Sequence, residues 1–161
     1  MKKQCVKNLA KPNNLQAAKE YAFLLLKFRL RSENELAARL RQKKFSESII
    51  QDTLSFLKDK QFIDDRIFAK SWVASRLKRP FGLRRIKQEL VGKGLAKEVI
   101  ETAVVQAKEN YNEEAVARQL AEQRFLRIKG VELLKAKARV YGYLIRRGFS
   151  PDISSQIVKG L

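Results

Sequence analysis

The chain has 161 residues, with 35 Lys and Arg against 17 Asp and Glu, one Cys and no His, so its formal net charge is +18. That excess favours a polyanionic partner, while the missing imidazole and the lone thiol exclude the common zinc sites, Ser-His-Asp and Cys-His nucleophilic centres and an intramolecular disulfide. Apolar residues make up 45% of the chain and its long segments are rich in Ala, Leu, Lys, Arg, Glu and Gln, which suits a packed all-α protein and neither a disordered tail nor a sheet.

Residues 1–14 hold Lys2, Lys3, Lys7 and Lys11 without an acid, and they read as a disordered basic arm. No continuous apolar core marks a secretory signal, and no window approaches a membrane-spanning run of about 20 apolar residues. With a single thiol, the expected location is the cytoplasm.

The next segment, 15–60, reads as a three-helix repeat. Its first helix, near Leu15–Arg31, is apolar at Ala18, Ala22, Leu25 and Leu26. Ser32 and Glu35 form a capping box for the second helix, in which Leu36 and Leu40 share a face. Lys44 and Phe45 make a turn, Ser46 caps, and Ile49, Thr53, Leu54 and Leu57 line the third helix.

The same offsets recur in 61–110 and in 111–161. Ile86, Leu90 and Leu95 lead to Val99, Ala103, Val104 and Ala107, and Val140, Leu144 and Phe149 lead to Ile153, Ile157, Val158 and Leu161. Gly94 and Gly148 occupy the turn position held by Lys44, where a left-handed residue is commonly needed. Lys44 therefore either takes a positive φ or its helix ends differently. Ser150 and Pro151 suit a helix start, whereas Ala96 is a weak cap. Upstream helices run near Asp65–Arg79, with Phe68, Ala69, Trp72, Val73 and Leu77 apolar, and near Glu113–Lys129, with Ala117, Leu120, Ala121 and Phe125. Nine helices in three tandem units follow. Units this small lean on their neighbours, so an elongated, curved arrangement is expected, with a compact bundle as the alternative.

Charge is patterned along the chain. From Arg76 to Lys97 eight cations face one anion, Glu89, and from Lys135 to Leu161 six cations face Asp152, whereas Glu98 to Glu114 is acidic. The helix start after Gly82 can grip phosphate through Arg84, Arg85 and free backbone N–H groups together, and Arg146 and Arg147 hold the corresponding turn of the third unit. Solvated surface charge is the plain alternative. Asp64 and Asp65 could hold Mg²⁺ in a nuclease, but they read as helix caps, as do Glu113 and Glu114. Trp72 reads as core. Phe81, between Arg79 and Arg84, reads as buried between units, with an exposed anchor as its alternative. No phosphate-binding loop of the Walker type occurs, and no metal or cofactor is expected.

Three segments carry a resemblance: Phe62-Ile63-Asp64-Asp65-Arg66-Ile67-Phe68-Ala69, then Gly82-Leu83-Arg84-Arg85-Ile86-Lys87-Gln88-Glu89-Leu90-Val91-Gly92-Lys93-Gly94-Leu95, and Tyr143-Leu144-Ile145-Arg146-Arg147-Gly148-Phe149. In this order, from about Ala18 to Leu161, the chain resembles the RecX family of RecA regulators. Lys44 departs from the glycine of the other two turns. The resemblance implies tandem three-helix repeats without catalysis, in homologous recombination, DNA repair and the SOS response. It also implies binding to the RecA filament on single-stranded DNA, restraining strand exchange, ATP hydrolysis and co-protease action.

Lys78, Arg79, Arg84, Arg85, Lys87, Arg146 and Arg147 are the candidate contacts with filament or DNA. Direct DNA binding is expected to be weak and salt-dependent, and the free chain to be a monomer with no membrane partner. The rival reading is a nonspecific nucleic-acid-binding helical module. Glu47, Glu98 and Glu101 on the second helices of its turns count against base-specific recognition.

Overall fold

The computed structural model describes residues 14–161; the basic arm expected for residues 1–14 lies outside them but for Asn14. Among the described residues there are nine helices and no strand: α1 (Leu15–Phe28), α2 (Glu33–Gln42), α3 (Glu47–Asp59), α4 (Asp65–Leu77), α5 (Leu83–Gly92), α6 (Lys97–Lys108), α7 (Glu113–Leu126), α8 (Leu133–Arg147) and α9 (Pro151–Lys159). They fall into two units that divide after Phe68, inside α4.

In the first unit the helix starts are written in short polar side chains. Asn14 Oδ1 accepts from the Gln16 N–H, and Ser32 and Glu35 form the reciprocal capping box that opens α2. Ser46 caps α3 through the Ile49 N–H. Between α2 and α3, Lys44 does take the left-handed conformation, at φ 64°, and the turn retains the Phe45 N–H to Leu40 carbonyl bond of a helix C-terminus.

Packing in this unit follows from small residues on α1. Ala18 and Ala22 are fully buried and let α1 close on Leu36, Leu40, Ile50, Leu54 and Leu57. Each buried Leu or Ile contributes about 1.5–3 kcal/mol relative to exposure. Leu25 and Leu26 are only partly covered. On α3 the buried position is Ile50 rather than Ile49, and in α6 Ile100 rather than Val99. The core stripe of these helices therefore takes in one position beyond the predicted set.

In the second unit α5 packs on α6, and α7, α8 and α9 pack on one another around Ala117, Ala121, Val140, Leu144, Phe149 and Ile157. Gly94 and Gly148 hold φ 74° and 90°, as the turn requires. Ser150 caps α9 with Pro151 in its first turn, and Ala96 supplies no side-chain cap to α6. The helix α8 begins at Leu133 and spans 15 residues against 10 in α2 and α5. Its start lies about two turns ahead of Val140, the first position of the recurring apolar pattern in the third repeat.

Two sequence expectations change here. Trp72 is half-exposed rather than core: its indole N–H donates to Glu89 Oε2 at 3.1 Å and its ring carries the Lys93 ammonium at 4.0 Å. A polar handle and a cationic neighbour hold the indole at the surface. The paired acids also divide their work. Asp64 caps its own helix through the Arg66 and Ile67 N–H groups, but Asp65 Oδ1 accepts from the Glu33 N–H of α2 at 2.9 Å. Likewise Asn112 caps α7 and Glu114 pairs with Arg118, while Glu113 reaches the Leu83 N–H of α5 at 2.8 Å. The first acid of one helix thus caps a helix of the preceding turn motif.

Candidate nucleic-acid interface

A backbone contact builds the basic region of the second unit. The Gly82 N–H donates to the Arg147 carbonyl at 3.0 Å. A Cβ on Gly82 would lie 2.2 Å from the Gly148 carbonyl carbon, and one on Gly148 would lie 2.2 Å from Arg85 Cβ. Only two glycines permit this approach, because no backbone atom there can yield to a side chain. The start of α5 and the end of α8 are thereby locked together. The helix ends that carry Arg84 and Arg85, and Arg146 and Arg147, distant in sequence, are brought side by side.

Phe81 is buried in this joint. The Arg85 guanidinium lies over its ring at 4.2 Å and that of Arg147 at 5.5 Å. Arg147 also lies over Tyr143 at 5.3 Å, as does Arg124 of α7 at 5.6 Å. A guanidinium stacked by its face keeps its N–H edges available to a bidentate acceptor such as phosphate.

Helix polarity at this joint serves the chain itself. With the Gly82 N–H on Arg147 and the Leu83 N–H on Glu113, the start of α5 does not offer these two N–H groups to a phosphate, contrary to expectation. Gly82 has no side chain to cap with, so the Glu113 carboxylate fills that place from α7. Burial raises the Glu113 pKa, opposed by the Leu83 hydrogen bond and Lys108. Burial, then the Glu113 charge, also raises Tyr111, whose hydroxyl donates to the Phe81 carbonyl at 2.9 Å.

The predicted residues divide into three groups. Arg85 and Arg147 meet over Phe81 at the glycine joint, and Arg84 and Arg146 are their exposed neighbours in sequence on the same two helix ends. Lys87 is exposed one turn along α5 and pairs with Glu101 of α6 at 3.5 Å. Lys78 and Arg79 line an open pocket of about 370 Å³ with Leu77, Pro80, Tyr111 and Leu120. Among the described residues, Lys78, Arg79, Arg84 and Arg146 have no carboxylate partner.

Sequence reasoning missed a restraint on this surface. Glu89 Oε2 meets Arg76 Nε at 2.6 Å and Glu89 Oε1 meets Arg85 Nε at 3.2 Å, while the carboxylate also accepts from Trp72. As the lone anion of a cationic stretch, four residues after Arg85, it carried a readable signal. Arg124 and Tyr143 carried none, because only the fold brings α7 to α8. Among the described residues no group of His, Cys, Asp and Glu could hold a metal ion, and no helix is long and apolar enough to cross a membrane.

Comparison with known proteins places these features in a family. Models described as RecX, first, second and third three-helix domain match residues 18–57, 64–104 and 112–158. A protein of Clostridium beijerinckii named regulatory protein RecX is 31% identical over 96% of this chain and 72% of its own length. One of the same name from Pasteurella multocida is 34% identical over 84% of this chain and 82% of its own. The crystal structure of RecX from Lactobacillus salivarius superposes with a TM-score of 0.79 over 91% of this chain and 96% of that one, at 24% identity, which is a likeness of fold.

Proposed function

Because the chain belongs to the RecX family, we propose that it regulates the RecA recombinase, binding the RecA filament on single-stranded DNA and restraining its ATPase, strand-exchange and co-protease activities. It does so in the cytoplasm, as a monomer, with no cofactor and no chemistry of its own. Its repeats run over 15–60, 61–110 and 111–161. The observation that carries this reading is the joint at Gly82 and Gly148, which brings together the helix ends bearing Arg84 and Arg85, and Arg146 and Arg147, with Arg85 and Arg147 sharing Phe81.

A filament presents both protein surface and DNA phosphates. Cations on rigid helix ends engage it across neighbouring subunits and oppose the motions coupled to ATP turnover, without competing for nucleotide. Lys78, Arg79 and Lys87 supply further contacts. Charge reversal at the two exposed positions, Arg84→Glu with Arg146→Glu, tests the assignment. Filament binding is expected to fall while helical circular dichroism stays unchanged, and intact binding contradicts it. A variant that loses DNA binding while still restraining RecA separates DNA contact from regulation. Loss of neither leaves the acidic surface of α6, with Glu98 and Glu101 exposed, and a role outside nucleic acid.

A further inference from the structure

Phe81 and Tyr143 alternate with three arginines in a continuous column of contacts, Arg85, Phe81, Arg147, Tyr143 and Arg124, each cation within 4.2 to 5.6 Å of a ring centroid. The column draws on α5, α8 and α7, so its spacing is fixed by helix packing. The Nε of Arg85 donates to Glu89, but among the described residues its terminal nitrogens have no acceptor, and Arg147 and Arg124 have no carboxylate at all. Contact with the rings holds these guanidiniums in place without consuming their N–H donors.

We infer that this column is a built backbone-binding rail for single-stranded nucleic acid, in which Arg124 and Arg147 take successive phosphates and Tyr143 is the positioning residue between them. The inference rests on the reading above for the kind of partner, and adds Arg124 and Tyr143, which that reading does not contain. A polyphosphate chain fits better than an acidic peptide for two reasons. A strand carries a charge at every phosphate, which suits a chain of net charge +18, and the cations here alternate with aromatic rings, the combination that tracks a single strand.

The test uses the full chain without RecA and a labelled oligo(dT) of about 20 nucleotides, with binding followed by fluorescence anisotropy across a salt series. Arg124→Gln is expected to weaken binding about fivefold at low salt and to make the salt slope shallower by about 0.7, one phosphate on a single strand. Tyr143→Leu keeps every charge, so affinity is expected to fall with the salt slope retained, a readout that loss of a charge cannot give. Arg118→Gln, on the same helix but paired with Glu114, is the control and is expected to bind as the parent does.

Circular dichroism and melting temperature confirm that each variant folds, and Arg124→Lys provides a conservative second variant, with intermediate affinity expected. Equal binding by Arg124→Gln and Arg118→Gln overturns the inference, as does displacement of oligo(dT) by polyglutamate of the same charge at equal concentration. Loss of oligo(dT) binding with RecA regulation intact supports the rail and overturns the regulatory use of this surface. The reverse pattern overturns the rail alone.

Discussion

The Glu113 carboxylate accepts the Leu83 backbone N–H at 2.8 Å, so the first acid of α7 caps the uncapped start of α5. Asp65 and the Glu33 N–H repeat the relationship in the first unit at 2.9 Å. Glu113→Ala is expected to destabilise the chain by about 1–2 kcal/mol, since it removes a cap and strands a part-buried donor. Glu113→Gln retains an acceptor and is expected to stay near the parent. Urea denaturation at neutral pH measures both.

The same carboxylate sets a pH dependence. Burial holds Glu113 above the ordinary glutamate range, and burial likewise raises Asp65. A raised folded pKa means that the native state takes up the proton first on acidification. The linked stability is full below the unfolded pKa and is lost as pH rises through the folded one. The parent should therefore gain stability relative to Glu113→Gln as pH falls from neutral into the acid range. A difference independent of pH between them would show that Glu113 titrates as an unburied glutamate does.

Glycines at the two ends of α5 give opposed outcomes for one type of substitution. Gly82→Ala places a methyl group into the Gly148 backbone and is expected to cost more than about 2 kcal/mol. Gly92→Ala, at the end of α5 with nothing within 4 Å of the added Cβ, is expected to stabilise by about 0.5–1 kcal/mol. Melting temperatures of the two variants should move in opposite directions. Lys44→Gly, relieving φ 64°, should raise stability by about 1 kcal/mol.

Glu89 holds Arg76 and Arg85 in reserve. Glu89→Gln removes the charge while keeping an acceptor for Trp72, and oligonucleotide affinity is expected to rise. The salt dependence should steepen by about 0.7 for each freed cation that reaches a phosphate. Anisotropy across a salt series reads both quantities, and an unchanged slope would show that neither arginine reaches the strand.

Local signals made most of the fold legible. Ser32 with Glu35, Ser46, Ser150 and Pro151 mark helix starts through chemistry within a few residues, and Leu36, Ile86 and Val140 repeat at a common offset to buried partners. What escaped was long-range. Asp65 and Glu113 sit where an acid would cap its own helix, and nothing in their neighbourhood indicates that the carboxylate turns to another. Trp72 sits on an apolar stripe, yet Glu89, 17 residues away, draws its indole N–H to the surface. Arg84, Arg85, Arg146 and Arg147 were recognisable as basic turns, but the contact between those turns depends on Gly82 and Gly148, which look like ordinary turn glycines until the backbones touch.

The most direct measurement is the single-stranded-DNA-dependent ATPase rate of the cognate RecA, titrated with this protein at a salt concentration where its own DNA binding is negligible. The rate should fall for the parent chain and hold for Arg84→Glu with Arg146→Glu. A fall at far fewer molecules than RecA subunits indicates capping of filament ends, and a fall only near equal numbers indicates coating along the filament. An unchanged rate at every ratio, with oligonucleotide binding retained at low salt, would contradict regulation of RecA and leave a nucleic-acid-binding module.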